Sequence, residues 1–188
     1  QINYRANLSA FKQVGVTDII AVNAVGGIHS DLGPAQIAIP DQIIDYTYGR
    51  EHTIFDGVLS EKLDHIDFTY PYSQVIRAAL IKAAESVSLS VLTKGVYAAT
   101  QGPRLESAAE IQKLKRDGCD LVGMTGMPEA SLAKELNMNY ACLALSVNWA
   151  AGLGEAVITM DDIHQALEQG MGKVHQILKA YISHSSTI

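Results

Sequence analysis

Short apolar runs alternate with amphipathic stretches along the whole chain. In the amphipathic stretches, apolar residues recur every three or four positions, which predicts helices. The apolar runs are short and are bounded by Gly, Pro or Asn, which predicts buried strands. The predicted helices span residues 4–14, 74–86, 107–117, 128–136 and 159–182. The predicted strands span residues 17–22, 89–99, 119–124 and 140–147, with a further strand region at 35–46.

The order of these elements predicts the fold class. Strands that alternate with helices are typical of an α/β fold, here with a central mixed, largely parallel sheet flanked by helices. Residues 47–73 are polar, contain His52 and His65 and have no long period, so we interpret them as an extended loop. Loops of this length in compact domains are usually functional. Because no linker or repeat interrupts the pattern, residues 1–188 are predicted to form a single domain.

Composition and charge narrow the classes of partner. Of the 188 residues, 48% are hydrophobic and 18% are charged, which is typical of a compact globular protein. The net charge of −6 and the lack of a Lys/Arg cluster argue against nucleic acid or a membrane surface as a partner. A small anion is still compatible with this charge, because backbone N–H groups can bind one.

The cysteines and the hydropathy pattern predict a location. Cys119 and Cys142 do not form a CxxC pair, and two cysteines are too few for a disulfide framework. We interpret them as buried, reduced thiols. No apolar run is long enough to span a bilayer, and no signal peptide is visible in the sequence. A cytoplasmic location is therefore expected.

Candidate ligand contacts follow several predicted strands, where open α/β sheets bind their ligands. The glycines that close the segment Asn23–Gly27 allow backbone N–H groups to approach an anion. Glu106 supplies a carboxylate just after the turn at Gly102-Pro103. Thr125 precedes a predicted helix, which is a favourable place for phosphate. Asn148 ends a strand with an amide that can both donate and accept hydrogen bonds.

Each of these residues also has a purely structural interpretation. Glu106 would fit the first turn of a helix, where the helix dipole favours a carboxylate. The glycines after Asn23 would fit a plain turn, Thr125 would fit a helix cap, and Asn148 would fit a turn. Local pattern does not decide between these interpretations and the functional ones.

The sequence contains no recognisable motif for nucleophilic catalysis, metal binding or dinucleotide binding. No Ser or Cys lies in a recognisable nucleophile motif, and no spacing of His, Cys or carboxylates indicates a metal site. The glycines do not form the GxGxxG pattern of dinucleotide-binding proteins. An anion-binding backbone, a carboxylate and an amide instead indicate ligand positioning and charge stabilisation.

Taken together, these segments resemble the trimeric purine nucleoside phosphorylase family, which includes the methylthioadenosine phosphorylases. The similarity covers essentially the whole chain, and the stretches Gly102–Glu106 and Gly123–Glu129 are specific. Among members, the chain most resembles the bacterial 5'-methylthioinosine phosphorylases. The resemblance implies a homotrimer that takes part in purine salvage. It also implies a reversible phosphorolysis that uses inorganic phosphate as co-substrate and needs no cofactor or metal.

The resemblance also implies roles for individual residues. Ala24 would offer its backbone N–H, and Thr125 its hydroxyl, to phosphate. Met124 would pack under the ribose, and Leu105 takes the place of a residue that lies against the base.

The catalytic residues implied by the resemblance are Glu106 and Asn148, which read the base. Glu106 would accept a hydrogen bond from the protonated N1 of a 6-oxopurine, whereas N1 of adenine is itself an acceptor. Asn148 would donate to O6 and accept from a protonated N7, a contact that strengthens in the transition state. Adenine-selective relatives carry Asp at this position and a second Asp two residues on, where this chain has Ala150.

The 5' end of the nucleoside is assigned in the same way. Relatives that act on ordinary nucleosides place a His near the start of the last helix, where this chain has Met160, with Ile163 one turn on. Apolar residues there would suit a methylthio group, although both would also fit the core of an amphipathic helix. His65 resembles a residue lent by the neighbouring subunit, although it would also fit a lone surface histidine.

The family pattern also includes a first strand, a Gly-rich phosphate loop and an Arg-His pair that this sequence lacks. The chain is therefore expected to be truncated at its N-terminus relative to the family. The predicted function is phosphorolysis of a 6-oxopurine nucleoside, preferably 5'-methylthioinosine, to hypoxanthine and 5-methylthioribose 1-phosphate. The alternatives are a general inosine/guanosine phosphorylase, a methylthioadenosine phosphorylase, or a catalytically incomplete fragment that binds purines.

Overall fold

The computed structural model describes residues 2–55, 65–155 and 157–185 of the chain. Its helices are α1 (Tyr4–Gln13), α2 (Gln74–Ser86), α3 (Ala108–Arg116), α4 (Glu129–Glu135) and α5 (Met160–Ser185). Its strands are β1 (Asp18–Gly27), β2 (Ile37–Ala38), β3 (Gln42–Asp45), β4 (Val96–Ala99), β5 (Leu121–Gly123) and β6 (Asn139–Trp149).

The strands form one mixed sheet in the order β2-β6-β1-β5-β4-β3. The pairs β1–β6, β3–β4 and β4–β5 are parallel, whereas β1–β5 and β2–β6 are antiparallel. Strands β1 and β5 pair only through Gly26 with Val122 and Gly27 with Leu121. The strand direction thus reverses between β1 and β5, and the short pairing leaves an opening between them. The predicted α/β fold with a mixed sheet is confirmed.

The ladder between β1 and β6 contains an irregularity close to this opening. Val25 pairs with Ser146, but the next residue, Gly26, pairs with Asn148. Val147 is therefore an extra residue on β6, as in a β-bulge.

Helices cover both faces of the sheet. Side chains alternate between the faces along each strand, and apolar residues on both faces need cover. On one face, α2 and α5 pack on β6 around Leu80, Leu143 and Ile177. On the other face, α1 and α4 pack around Leu8 and Leu132, in a cluster that also contains Cys142. Tyr140, Cys142 and Ala144 of β6 belong to this second cluster, whereas Ala141, Leu143 and Leu145 belong to the first.

Side-chain caps explain where several helices begin. The caps share one geometry, in which a side-chain oxygen accepts a hydrogen bond from the backbone N–H three residues on. These capping residues are Asn3, Ser73, Ser107 and Thr159. Thr159 caps α5 in this way. In the described part of the chain, no helix is both long and apolar enough to cross a membrane.

The strand predictions were less accurate than the helix predictions. Strand β1 does not stop at residue 22 but continues to Gly27, where an added Cβ would lie 1.8 Å from the Leu32 carbonyl oxygen. Only glycine therefore allows this close approach. The strand predicted at 89–99 is confined to Val96–Ala99, preceded by a single bridge between Leu92 and Ala38. In the predicted loop, residues 47–55 and 65–73 form no helix or strand, and residues 56–64 lie outside the described residues.

Candidate active site

A cavity of about 400 Å³ opens at the place where β1 and β5 separate. Its walls come from the middle of β1, the carboxyl ends of β5 and β6, the turn before α3 and the first turns of α5. The volume is within the range of about 300–1,000 Å³ that is typical of small-molecule sites. Most of the candidate site residues line it, namely Ala24, Leu105, Glu106, Met124, Thr125, Asn148 and Ile163.

Glu106 lies on the cavity wall outside any helix. Helix α3 begins after the N-cap Ser107, and the acidic residue in its first turn is Glu110. The interpretation of Glu106 as a first-turn carboxylate is therefore wrong. Its Oε1 accepts a 2.7 Å hydrogen bond from the hydroxyl of Thr100. Among the described residues nothing donates to its Oε2, so this oxygen can accept a hydrogen bond from a ligand.

A network on the other side of the same turn holds Glu106 in place. Arg104 donates two 2.8 Å hydrogen bonds to the two carboxylate oxygens of Glu110. Glu110 in turn accepts from the backbone N–H of Ser107, completing a capping box. The hydrogen bond from Arg104, followed by that from the Ser107 backbone, lowers the pKa of Glu110 to about 2. Glu106 therefore lies between two fixed points, the Thr100 hydroxyl and the helix cap.

Asn148 faces the cavity from the end of β6 and is half-buried. Its Nδ2 donates a 2.7 Å hydrogen bond to the carbonyl of Trp149, which orients the amide. The amide keeps a second N–H and its Oδ1 for a ligand, so it can donate and accept at once. The neighbouring Ala150 is buried and lines the same cavity, so no carboxylate accompanies Asn148 on that side.

Thr125 follows β5 and lies between two cavities. It lines the 400 Å³ cavity and also a larger one of about 930 Å³ that includes Tyr4, Arg5 and Arg50. Its Oγ1 lies 2.5 Å from Nδ2 of Asn23, which donates a hydrogen bond to it from β1. This contact bridges the opening between β1 and β5.

Met124, beside Thr125, packs against the turn after β4. Gly102 in that turn has φ +64°, and an added Cβ there would lie 2.4 Å from the sulfur of Met124. Glycine suits the positive φ at this position, and a larger residue would also have to displace the Met124 side chain. The turn and Met124 thus form one wall, shared by the two cavities that contain Met124.

Arg50 organises the site, and the sequence analysis missed it. Its guanidinium donates to the carbonyls of Thr100, Gln101, Met124 and Met127 and to the side-chain oxygen of Gln101. It therefore ties together the loops that follow β3, β4 and β5, a task suited to its fixed fork of donors. No local pattern could have identified it, because its partners lie 50 or more residues away in the sequence.

Two of the candidate residues are not among those that line this cavity. Met160 begins α5, is 61% exposed, and is not among the lining residues, although Ile158 and Ile163 are. His65 is exposed and is likewise not among the lining residues. Over the described ranges, no group of three or more His, Cys, Asp or Glu side chains is placed to hold a metal ion.

Comparison with known proteins gives consistent matches along the chain. Residues 1–183 match the family described as "Phosphorylase superfamily". A protein of Pseudomonas syringae pv. tomato named "Probable S-methyl-5'-thioinosine phosphorylase" is 56% identical over 185 residues, which is 98% of this chain and 75% of that protein. A "6-oxopurine nucleoside phosphorylase" of Pyrococcus furiosus is 41% identical, over 97% of this chain and 70% of that protein.

Solved structures show the same similarity. The methylthioadenosine phosphorylase of Schistosoma mansoni in complex with adenine superposes with a TM-score of 0.92 and 28% sequence identity, over 99% of this chain and 72% of that chain. The present chain thus spans between 70% and 75% of the length of these relatives.

Proposed function

The chain belongs to the phosphorylase superfamily, and from that premise we propose that it catalyses the phosphorolysis of 6-oxopurine nucleosides. The preferred substrate is 5'-methylthioinosine, and the products are hypoxanthine and 5-methylthioribose 1-phosphate. One observation carries the proposal. A carboxylate oxygen of Glu106, the amide of Asn148 and the hydroxyl of Thr125 line one cavity, and each keeps hydrogen-bonding capacity for a ligand.

The base is recognised by Glu106 and Asn148. A 6-oxopurine carries a hydrogen on N1, and the free Oε2 of Glu106 accepts a hydrogen bond from this N1–H group. Adenine would present a lone pair at N1 to the same carboxylate, and a mismatched buried polar pair costs about 1–3 kcal/mol. Asn148 donates to O6 and accepts from N7 when that nitrogen is protonated.

The reaction breaks the glycosidic bond. An oxygen of phosphate bonds to C1' of the sugar, and the electron pair of the C1'–N9 bond passes to the purine. The purine gains negative charge as it leaves and takes up a proton from water at N7, while the new phosphate monoester releases its own proton to water. The contacts from Asn148 strengthen with that charge, so they stabilise the transition state more than the substrate.

Phosphate and ribose occupy the part of the cavity near β1 and β5. Thr125 donates its hydroxyl proton to phosphate, and the backbone N–H of Ala24 is a second donor, since both residues line the cavity. Met124 packs under the ribose and Leu105 lies against the base, positions that fit their places in the lining.

The 5' substituent lies against the start of α5. Ile158 and Ile163 line the cavity there, and Met160, at the exposed start of the helix, is near enough in sequence to complete an apolar pocket. Such a surface favours a methylthio group over a hydroxyl, because it offers the hydroxyl no hydrogen bond.

The active form in this proposal is a homotrimer in which His65 reaches the site of a neighbouring subunit. His65 is exposed and is not among the residues that line the cavity of its own subunit, which fits this role. The free, buried thiols of Cys119 and Cys142 fit a reducing compartment such as the cytoplasm, where purine and methylthio salvage would take place.

The proposal is tested by assaying the full-length protein with 5'-methylthioinosine, inosine, guanosine and 5'-methylthioadenosine, each with and without inorganic phosphate. We expect the highest kcat/KM with methylthioinosine and no turnover without phosphate. If methylthioadenosine were the best substrate, the roles of Glu106 and Asn148 would be refuted. If inosine were preferred, the role of the apolar 5' wall would be refuted.

A general 6-oxopurine nucleoside phosphorylase is the second candidate. The similarity to the Pyrococcus furiosus protein, which carries that name, favours it. The substitution Ile163→Gln separates the candidates, because it places a hydrogen-bonding side chain where the methylthio group would lie. In a methylthioinosine enzyme it lowers the ratio of methylthioinosine to inosine activity. In a general enzyme, the ratio starts near one and changes little.

A further inference from the structure

Thr125 is held from behind by two buried residues on neighbouring strands. Asn23 of β1 is 5% exposed, and Cys142 of β6 is 2% exposed. The Sγ of Cys142 lies 3.3 Å from Oδ1 of Asn23, and Nδ2 of Asn23 lies 2.5 Å from Oγ1 of Thr125. The three side chains thus form a chain of hydrogen bonds that runs from the core beside α4 to the cavity wall.

The direction of these hydrogen bonds decides whether the Thr125 hydroxyl can donate a hydrogen bond to a ligand. A hydroxyl has a single proton, and an amide presents either its N–H or its oxygen to a neighbour. When Nδ2 of Asn23 donates to Thr125, the Thr125 proton is left for another acceptor, which is either a ligand in the cavity or the neighbouring Tyr97 hydroxyl. If the amide were turned over, Oδ1 would accept that proton, and only lone pairs would face a bound anion.

Cys142 selects the first of these directions. A thiol donates a hydrogen bond only while it is protonated, and burial raises the pKa of Cys142. The thiol therefore directs its proton towards Oδ1 of Asn23, which turns Nδ2 towards Thr125. The other buried cysteine, Cys119, is near the hydroxyl of Tyr46 and takes no part in this network.

We propose that Cys142 and Asn23 act as positioning residues that fix the Thr125 hydroxyl as a hydrogen-bond donor to phosphate. Neither residue needs to touch the phosphate itself, since both act through the orientation of Thr125. This inference rests on the proposed function insofar as the bound anion is the phosphate of the reaction.

The first test removes the donor at position 142. Cys142→Ala, which is smaller than cysteine, and Cys142→Val, which is larger, both leave the Asn23 amide without a directing donor. We expect the KM for phosphate to rise about threefold to tenfold, the change expected for one lost neutral hydrogen bond. The KM for the nucleoside stays within twofold. Cys142→Ser keeps a donor and restores the wild-type KM for phosphate, while Cys119→Ala serves as the control and leaves both constants unchanged.

The second test reverses the amide. Asn23→Asp presents only acceptors to Thr125, so the Thr125 hydroxyl donates its hydrogen bond to the new carboxylate and not to the anion. The substitution also adds a negative charge near the anion. We expect phosphate affinity to fall by more than tenfold, in line with a lost hydrogen bond to a charged group. Hypoxanthine binding, measured by calorimetry, remains unchanged.

A double-variant cycle separates positioning from a general loss of structure. In a Thr125→Val background there is no hydroxyl left to orient, so Cys142→Ala has no further effect on phosphate affinity. Equal effects of Cys142→Ala with and without Thr125 would overturn the proposal, as would a proportional rise in both KM values or a failure of Cys142→Ser to restore phosphate binding.

Direct binding of inorganic phosphate, measured by calorimetry without nucleoside, keeps this inference distinct from the proposed reaction. If the wild type binds phosphate and the variants weaken it as expected, the orientation of Thr125 is supported even when no nucleoside is turned over. If the wild type binds no phosphate, the positioning role is refuted. Phosphate binding that is identical in all variants refutes it as well.

Discussion

The hydroxyl of Thr100 donates a 2.7 Å hydrogen bond to Oε1 of Glu106. Thr100 follows the last residue of β4, and Glu106 immediately precedes the cap of α3, so the bond closes the turn between strand and helix. It fixes one oxygen of the carboxylate and leaves the other for N1 of the base.

We expect Thr100→Val to reduce kcat/KM for methylthioinosine by about threefold to tenfold, because one neutral hydrogen bond contributes about 1 kcal/mol. Thr100→Ser keeps the hydroxyl and remains close to wild type. Steady-state assays with both variants check this expectation. A loss that is the same for Ser and Val would show that the methyl group, and not the hydroxyl, matters.

Asn148→Asp is expected to shift base preference towards adenine. A carboxylate accepts from the exocyclic amine of adenine, whereas it faces the carbonyl O6 of a 6-oxopurine acceptor to acceptor. The ratio of kcat/KM for methylthioadenosine to that for methylthioinosine should rise about tenfold or more, given the cost of about 1–3 kcal/mol for a mismatched pair. Asn7→Asp, on the exposed side of α1, adds the same charge away from the cavity and leaves the ratio unchanged.

Arg50→Ala is expected to destabilise the protein strongly. The side chain donates to four carbonyls in the loops around the cavity, and its loss leaves several of them without a partner. We expect the free energy of unfolding, from urea titration, to fall by about 2–4 kcal/mol. Arg5→Ala removes a partly exposed ion pair with Glu51 and a long, 3.4 Å hydrogen bond to the Ile54 carbonyl, and should cost only about 1 kcal/mol. Equal costs would contradict the organising role of Arg50.

The contacts of Glu110 with Arg104 and the Ser107 backbone, on the other side of the turn from Glu106, predict how stability depends on pH. Because the pKa of Glu110 is lowered from 4.5 to about 2, its ionised form stabilises the fold above pH 4.5, and this contribution is lost as the pH falls towards 2. Glu110→Gln should therefore lower the melting temperature at pH 7, and the difference should shrink steadily as the pH is lowered from 4.5. A difference that is constant from pH 7 to pH 3 would argue against these ionic contacts.

Glu129 gives the opposite dependence on pH. Burial raises the pKa of its carboxyl, although the 2.6 Å hydrogen bond from Tyr140 opposes part of that rise. The folded state thus prefers the neutral form, so stability falls as the pH rises through the range between the unfolded and folded pKa values. Glu129→Gln, which can still accept from Tyr140, should melt at a higher temperature than wild type at pH 8. The two should converge at pH values below the unfolded pKa. Melting curves across this range decide the point.

The helices could be predicted from sequence because their signals are local. Ser73, Ser107 and Thr159 each begin a helix by bonding a backbone group three residues away, and an apolar stripe follows. The observed helices Gln74–Ser86 and Ala108–Arg116 accordingly agree with the predictions to within a residue at each end. The resemblance carried by the segments around Glu106 and Thr125 was confirmed by the family match.

What the sequence could not reveal depends on contacts between distant residues. The glycines after Asn23 suggested a turn, but pairing with β6 keeps them in a strand, since hydrogen bonding across the sheet overrides the local preference. Arg50 had no visible role until its carbonyl partners were placed around it. The Thr100–Glu106 bond was equally hidden, because a threonine in a strand-to-helix turn is not unusual.

The extra residue in β6 has a consequence for how this site can evolve. Beyond Val147 the two strands resume pairing one position out of step, and Asn148 reaches the cavity in that shifted register. A substitution near this point changes one side chain, but a deletion would move every later side chain of the strand to the opposite face. Lineages that share this chemistry should therefore keep the number of residues from 141 to 148, together with Cys142 and Asn148, while the other side chains of the strand vary. Changes in length should instead accumulate after the end of β6 at Trp149, where the register of the strand no longer sets which side chain faces the site.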